Sequence, residues 1–147
     1  MKKITQEELK EILEKHKKWM LNEDGGERAD LADTDLSYAV LQGANLQYAN
    51  LRGANLQNAD LARTYLRNAD LKGADIDYSC LPLWCGSLTA HFDDRQLRQI
   101  AYHLVKAGLH SKNASPETKR ELAKLIDFAN GFHLVGECGE IKWEEEK

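Results

Sequence analysis

Along the middle of the chain an aliphatic residue stands at every fifth position: Leu31, Leu36, Leu41, Leu46, Leu51, Leu56, Leu61, Leu66, Leu71, Ile76 and Leu81. Two residues before each stands a small one, Ala in most units and Thr34, Thr64 or Ser79 in the rest. The pentads run unbroken from Ala29 to Leu83. An α-helix turns ~100° per residue, so this spacing advances each leucine ~140° and smears the set around the cylinder. A straight strand changes face at every residue, so an odd spacing sends successive leucines to opposite sides. Within one pentad, however, the small residue and the leucine are two apart and share a face. A short extended piece followed by one bend per pentad keeps every leucine inside. The pattern therefore predicts a coiling chain whose layers, about 4.8 Å apart, hydrogen-bond to one another as a β-solenoid.

The flanks follow a helical period. Thr5 with Glu8 three residues on forms a capping box, and Ile4 can staple against Leu9. Leu9, Ile12, Leu13, His16, Trp19 and Met20 then recur at three- and four-residue spacing up to Gly25-Gly26. This predicts an amphipathic helix that caps the open edge of the first coil. Beyond the pentads, Trp84 to Phe92 reads as a last partial coil. Asp93 or Asp94 opens a helix with Leu97, Ile100, Ala101, Leu104 and Val105 on one face, ending near Gly108. Ser115-Pro116-Glu117 opens another, with Leu122, Leu125, Ile126 and Ala129 as its stripe before Gly131. Three segments result: a capping helix over 1–28, a solenoid over 29–92, and an antiparallel helix pair over 93–147.

The order small residue, Asp or Asn, Leu, then two variable residues resembles the signature of the pentapeptide-repeat family. That resemblance implies a mainly β fold, a short right-handed quadrilateral β-helix of about three coils with residues twenty apart in columns. Val40, Tyr65 and Cys80 depart from Asp or Asn, which leaves the local ladders open to breaks there but not the fold. The C-terminal helix pair can cap the last coil. Alternatively, as C-terminal helices commonly do in this family, it packs against a second copy, making Leu97, Ile100, Leu104, Leu122, Leu125 and Ile126 dimer contacts and the protein a homodimer. The stretches EKHKKWM…GGERADL, CLPLWCGSL…HFDDRQ and FANGFH…ECG resemble segments of phage and prophage pentapeptide-repeat proteins, which implies a phage origin.

Composition narrows the classes. The 147 residues hold 24 acids and 20 bases, a formal net charge of −4, which argues against direct nonspecific binding to nucleic acid or anionic lipid. No apolar run approaches the ~20 residues that cross a bilayer, and Met1-Lys2-Lys3-Ile4 leads into a charged helix rather than a signal-peptide core. The expectation is a cytoplasmic protein with reduced thiols, since three cysteines make no disulfide framework. Cys80, Cys85, His91, His133 and Cys138 are the only set readable as metal ligands, and their spacing matches no structural zinc knuckle; buried thiols are expected instead. No phosphate-binding glycine loop, nucleophile elbow or His-Glu-x-x-His helix is present. Hence no catalytic residue, metal or cofactor is assigned, and an enzyme is not expected.

Charge is unevenly placed. Residues 29–83 carry four bases and seven acids, −3 of the −4, and contain no Glu. With four pentads per coil, Asp35, Asn55 and Asp75 fall in one column beside Ser37, Gln57 and Asp77, and then Tyr38, Asn58 and Tyr78. That side holds three acids and no base; the next adds Asp30, Asp33 and Asp70 with Arg52 and Lys72. Exposed aromatics beside acids are what partner surfaces use. Asp35, Tyr38, Asp75, Asp77, Tyr78, Asp30 and Asp70 are therefore the expected contacts for a protein partner; the alternative for the acids is that the repeat signature uses Asp and Asn only to hydrogen-bond within and between coils. The resemblance extends this to DNA mimicry, with a nucleic-acid-handling host protein such as a topoisomerase or CRISPR effector as the inhibited target. Eleven pentads span roughly 13 Å, the length of about four base pairs and about eight phosphate charges, so a monomer is a short and weakly charged decoy. A structural or assembly scaffold is the alternative.

Overall fold

The computed structural model describes residues 1–80, 90–132 and 139–143. In chain order the elements are β1 (Lys2–Lys3), α1 (Gln6–Met20), β2 (Thr34–Asp35), α2 (Asp94–His110), α3 (Pro116–Ala123) and α4 (Ile126–Asn130). They fall into two compact units, Met1–Asp93 and Asp94–Lys147.

The first unit coils with a period of twenty residues. Parallel bridges join Asp30 to Asn50 and Asn50 to Asp70, Asp35 to Asn55 and Asn55 to Asp75, Val40 to Asp60, and Asn45 to Tyr65. Four pentads, each closed by a turn, complete one layer. The second-position N–H donates back to the first-position carbonyl one coil earlier, as from Asn50 to Ala29 (3.0 Å) and from Asp60 to Ala39 (3.0 Å). The third-position N–H donates forward, as from Leu31 to the Asn50 carbonyl (2.8 Å) and from Leu51 to the Asp70 carbonyl (2.8 Å). The ladders do not break at the departures from Asp or Asn: Val40 and Tyr65 hold their bridges, and Cys80 N–H donates to the Ala59 carbonyl (3.1 Å). These bonds come from the backbone, and the second-position side chain points outward.

One bridging residue between turns is too short for a regular strand. Counted by regular elements, the described residues are therefore more helical than β, with helices of 15, 17, 8 and 5 residues against two strands of two, and the expectation of a mainly β chain is corrected accordingly for them. The turns explain the pentad. Each fifth-position residue from Asp33 to Tyr78 has φ between 50° and 72°, and the N–H of the next residue bonds the third-position carbonyl, as from Ala54 to Leu51 (3.1 Å). Positive φ at the third residue of a turn suits Gly and Asn. A Cβ at Gly53 would also displace the Asp33 carboxylate one coil above, the end of an exposed side chain.

Leu31 through Leu71 and Ile76 are all buried; Leu81 lies outside the described residues. Asp70 pairs with His91, twenty-one residues on, so the chain from Cys80 to His91 carries one residue more than the repeat. Ala90 and Phe92 join the same core, as a last partial layer requires.

At the other end the capping box forms, with Thr5 N–H on Glu8 Oε2 (2.7 Å) and Glu8 N–H on Thr5 Oγ1 (3.1 Å). Leu9 and His16 of α1 are buried, and Ile4, Ile12 and Leu13 pack on the coil interior. Before α1, β1 lies parallel on β2, Lys2 opposite Thr34 and Lys3 opposite Asp35.

In the second unit, Tyr102, Val105 and Leu109 of α2 form the core with Ala129, Phe132 and Ile141. Tyr102 Oη donates to the Gly139 carbonyl (2.6 Å), and the Asn130 side chain both donates to and accepts from the Ile141 backbone (3.1 and 2.8 Å). Ser115 caps α3, accepting from Thr118 N–H (3.1 Å). The single helix expected from Ser115 to Gly131 breaks at Lys124 and Leu125, where Leu125 N–H bonds the Leu122 carbonyl three residues back (3.0 Å).

Candidate protein-binding face

The second-position carboxylates and amides have architectural work. Asp30, Asp35, Asn45, Asn50, Asn55, Asp60, Asp70 and Asp75 each accept the N–H two residues on, at 2.9–3.3 Å, pinning the turn that follows. Between coils Asn50 donates to Asp30 (2.8 Å) and Asn55 to Asp35 (3.1 Å). Side chains bound to backbone in this way keep orientation, and their negative charge is partly spent on N–H groups.

The predicted acidic columns come out weaker than the sequence reading expected. Asp30 is exposed, and Asp35, Asp70 and Asp75 are half-buried. Asp77 is buried, so it lies outside any exposed acidic column. Asp70 is bridged by Arg52 (3.1 Å), and Asp75 accepts from Gln57 Nε2 (2.8 Å). The side read as free of bases gains Lys2 and Lys3, because β1 lands on it. Asp35 titrates below the ordinary carboxylate range, held there by the Ser37 hydroxyl (2.7 Å) and N–H, and further by Lys3 and Asn55. Burial works against ionisation of Asp70, but the Lys72 N–H and Arg52 outweigh it and hold its pKa low.

The aromatics stand out instead. Tyr38 and Tyr78 occupy one column twenty residues either side of Asn58, 74% and 62% exposed, with φ of 60° and 59°. A bulky residue in the left-handed region costs about 1 kcal/mol, and the neighbouring column meets the same demand with Gly53 and Gly73. Tyr48 makes the same turn at φ 64° and meets Trp19 edge-on (6.4 Å between centroids), and Trp19 in turn stacks on His16 (5.5 Å). His16 Nδ1 accepts the Ala29 N–H (3.1 Å) and Nε2 lies 3.0 Å from the Gln47 carbonyl. Only the neutral ring with its proton on Nε2 satisfies both. Burial lowers its pKa, the Gln47 bond opposing and Arg28 assisting.

Among the described residues no group of three or more His, Cys, Asp or Glu side chains converges on a metal position. Cys80 is exposed rather than buried, since second positions face outward; Cys85, His133 and Cys138 lie outside the described residues. In the second unit Leu97, Leu104 and Leu125 are exposed and Ile100 is half-buried, while Leu122 and Ile126 pack on their own core. The buried side of α2, on Tyr102, Val105 and Leu109, is centred roughly 110° around from Leu97.

Residues 27–61 and 49–82 match the family of pentapeptide repeats, in 8 copies. The chain carries a pentapeptide-repeat segment. Solved structures similar to it include Rfr23, a pentapeptide repeat protein of the cyanobacterium Cyanothece 51142, at 41% identity over 45% of this chain and 41% of that one, with a TM-score of 0.37. A pentapeptide repeat protein of the Arabidopsis thaliana thylakoid lumen matches at 23% identity over 63% of this chain and 78% of that one (TM-score 0.39). QnrB1, a plasmid-mediated fluoroquinolone resistance protein, matches at 16% over 51% and 42% (TM-score 0.22). The chain spans about two fifths of the length of Rfr23. None of the curated proteins is similar to the chain. No helix of the described residues is long and apolar enough to cross a membrane.

Proposed function

We propose that this chain is a non-enzymatic, cytoplasmic protein-binding module that engages its partner through the Tyr38–Tyr78 column of a right-handed coil. The observation that carries the reading is the pairing of exposure with backbone cost: two tyrosines keep a positive φ on the surface, where the repeat uses Gly or Asn without strain. Flat, rigid aromatics with a polar tip supply contact area at low entropic cost. Asp35 and Asp75 beside them set the electrostatic preference, for a partner with a basic surface. Such surfaces belong to nucleic-acid-handling proteins, and inhibition of one, by a phage-derived protein, is the finer form of the proposal. The exposed Leu97, Leu104 and Leu125 support association of two copies through the C-terminal unit.

The test is capture from a bacterial lysate by the wild-type chain and by a Tyr38→Asn/Tyr78→Asn variant. Asn tolerates the left-handed turn, so the variant folds at least as stably. The reading predicts proteins retained by the wild type and missing from the variant. Identical retained sets would remove the tyrosines from the site.

A further inference from the structure

The first coil of the pentapeptide-repeat segment is covered unevenly. In every later layer the second-position N–H donates to the coil before it, and the second- and fourth-position carbonyls accept from it, as Asp60 and Ala62 do from Leu41 and Gly43 (2.9 Å each). The first coil has no coil before it, and two elements stand in. His16 takes the Ala29 N–H and the Gln47 carbonyl, and β1 pairs with Thr34 and Asp35. Between Asp35 and Gln47 neither element hydrogen-bonds the coil backbone. Among the described residues, the Val40 and Asn45 N–H groups and the Val40, Gln42 and Asn45 carbonyls have no partner, and Val40 and Asn45 bridge on one side only. Ala39 and Ala44 stay half-exposed where Ala49, Ala54, Ala59, Ala69 and Ala74 are buried, and Val40 is 65% exposed.

Sheet edges left open are ordinarily blunted by charge or proline. This one is not: from Leu36 to Leu51 there is no Asp, Glu, Lys, Arg or Pro. Extending the protein-binding reading, on which this step rests, we infer that the Val40–Asn45 edge receives an extended, uncharged segment of a partner protein as an added parallel strand. Three observations choose that occupant. The edge is uncharged, so it selects an uncharged strand with small or β-branched residues over Ala39 and Ala44. Its neighbour on the same coil is already capped by a parallel strand, β1, which shows the sense of pairing. Since α1 and β1 occupy the other sides of this end, a single strand fits where a second solenoid end would meet the helix. Main-chain bonds supply the affinity and the side-chain positions the selectivity.

The test is amide hydrogen exchange on the full chain, with an uncharged synthetic peptide of alternating small and β-branched residues, unrelated to this chain's own sequence, as probe. In the free protein the Val40 and Asn45 amides exchange fast while those of Asp60 and Tyr65 are protected; with peptide, Val40 and Asn45 slow by about ten-fold or more. Val40→Pro deletes the edge donor without removing a bond inside the chain and abolishes that slowing. Should Val40→Pro not fold, Val40→Lys blocks the edge by charge, with the same expected loss. Tyr38→Asn/Tyr78→Asn leaves peptide protection intact, which separates failure here from failure of the tyrosine column. Three results overturn the inference: Val40 and Asn45 already protected in the free protein, no protection with peptide, or protection that rises with protein concentration alone, which assigns the edge to a second copy.

Discussion

Leu51 has a repeat leucine on both sides, Leu31 one coil before and Leu71 one coil after, and is fully buried. Leu51→Ala removes three carbons from the middle of that column. The neighbours cannot close in along the axis, because Leu31 N–H on Asn50 and Leu51 N–H on Asp70 (2.8 Å each) fix the layer spacing on either side. Nor can they close in laterally, because the other three sides of the layer are filled by Leu36, Leu41, Leu46 and their stacked successors. A site that relaxes little sits in the upper half of the usual Leu→Ala range of 2–5 kcal/mol, so we expect about 3–5 kcal/mol. With a urea m-value of roughly 1 kcal/mol/M for a unit of this size, the midpoint falls by about 3 M or more, or the unit is unfolded without denaturant. Urea titration followed by far-UV circular dichroism reads this directly. A loss under about 1 kcal/mol would mean that the column is not close-packed and that the burial argument for the pentad fails.

Three further outcomes follow from the same geometry. His16 has a folded-state pKa below its unfolded value of about 6.5, so the unfolded chain binds the extra proton first; the cap's contribution is complete above about pH 6.5 and is lost as pH falls toward the folded pKa, and His16→Asn flattens this dependence in urea midpoints from pH 8 to 5. Gly53→Ala and Gly43→Ala share a left-handed φ, and the Asp33 carboxylate that a Cβ at Gly53 meets is the end of an exposed side chain that can swing aside, so each costs about 1 kcal/mol or more and the two agree within about 0.5 kcal/mol; midpoints moved by neither would contradict the left-handed turns. If two copies associate through the C-terminal unit as proposed, Leu97→Glu with Leu104→Glu, both exposed, leaves thermal stability within about 1 kcal/mol while sedimentation shifts from dimer to monomer; a monomeric wild type removes the dimer, and a dimer unchanged by the substitutions places the interface elsewhere.

Much of the first unit was legible because a strict period leaves one geometry. Five-residue spacing ruled out helix and flat strand, and the buried leucines followed; the twenty-residue register came from the resemblance to pentapeptide repeats. Local chemistry read equally well at Thr5–Glu8 and at Ser115, where caps depend on residues three apart. The errors arose where long-range contacts decide. Lys2–Lys3 has no strand pattern and pairs only because an open coil edge lies beside it. Of the predicted α2 stripe, Val105 is buried and Ala101 packs beside it, but packing left Leu97 and Leu104 outside and chose Tyr102 and Leu109 instead, whose spacing is equally helical. Asp77 stands at a fourth position, variable in the repeat, and nothing in the pattern signals its burial. The second-position acids were read as candidate contacts or as groups bonding within and between coils, and the structure supplies the N–H groups and the neighbouring-coil amides that they bond. The strained tyrosines had one usable signal, a bulky residue at the fifth position where Gly and Asn recur.

Dissociation kinetics of a captured partner test the proposal most directly. Against immobilised wild type, Tyr38→Asn/Tyr78→Asn and Asp35→Asn/Asp75→Asn, the account predicts at least about ten-fold faster release from the tyrosine variant. The aspartate variant is predicted to show slower, less salt-dependent association with release nearly unchanged. Wild-type release from the tyrosine variant, with the loss confined to another face, would contradict the claim that this column is the binding site.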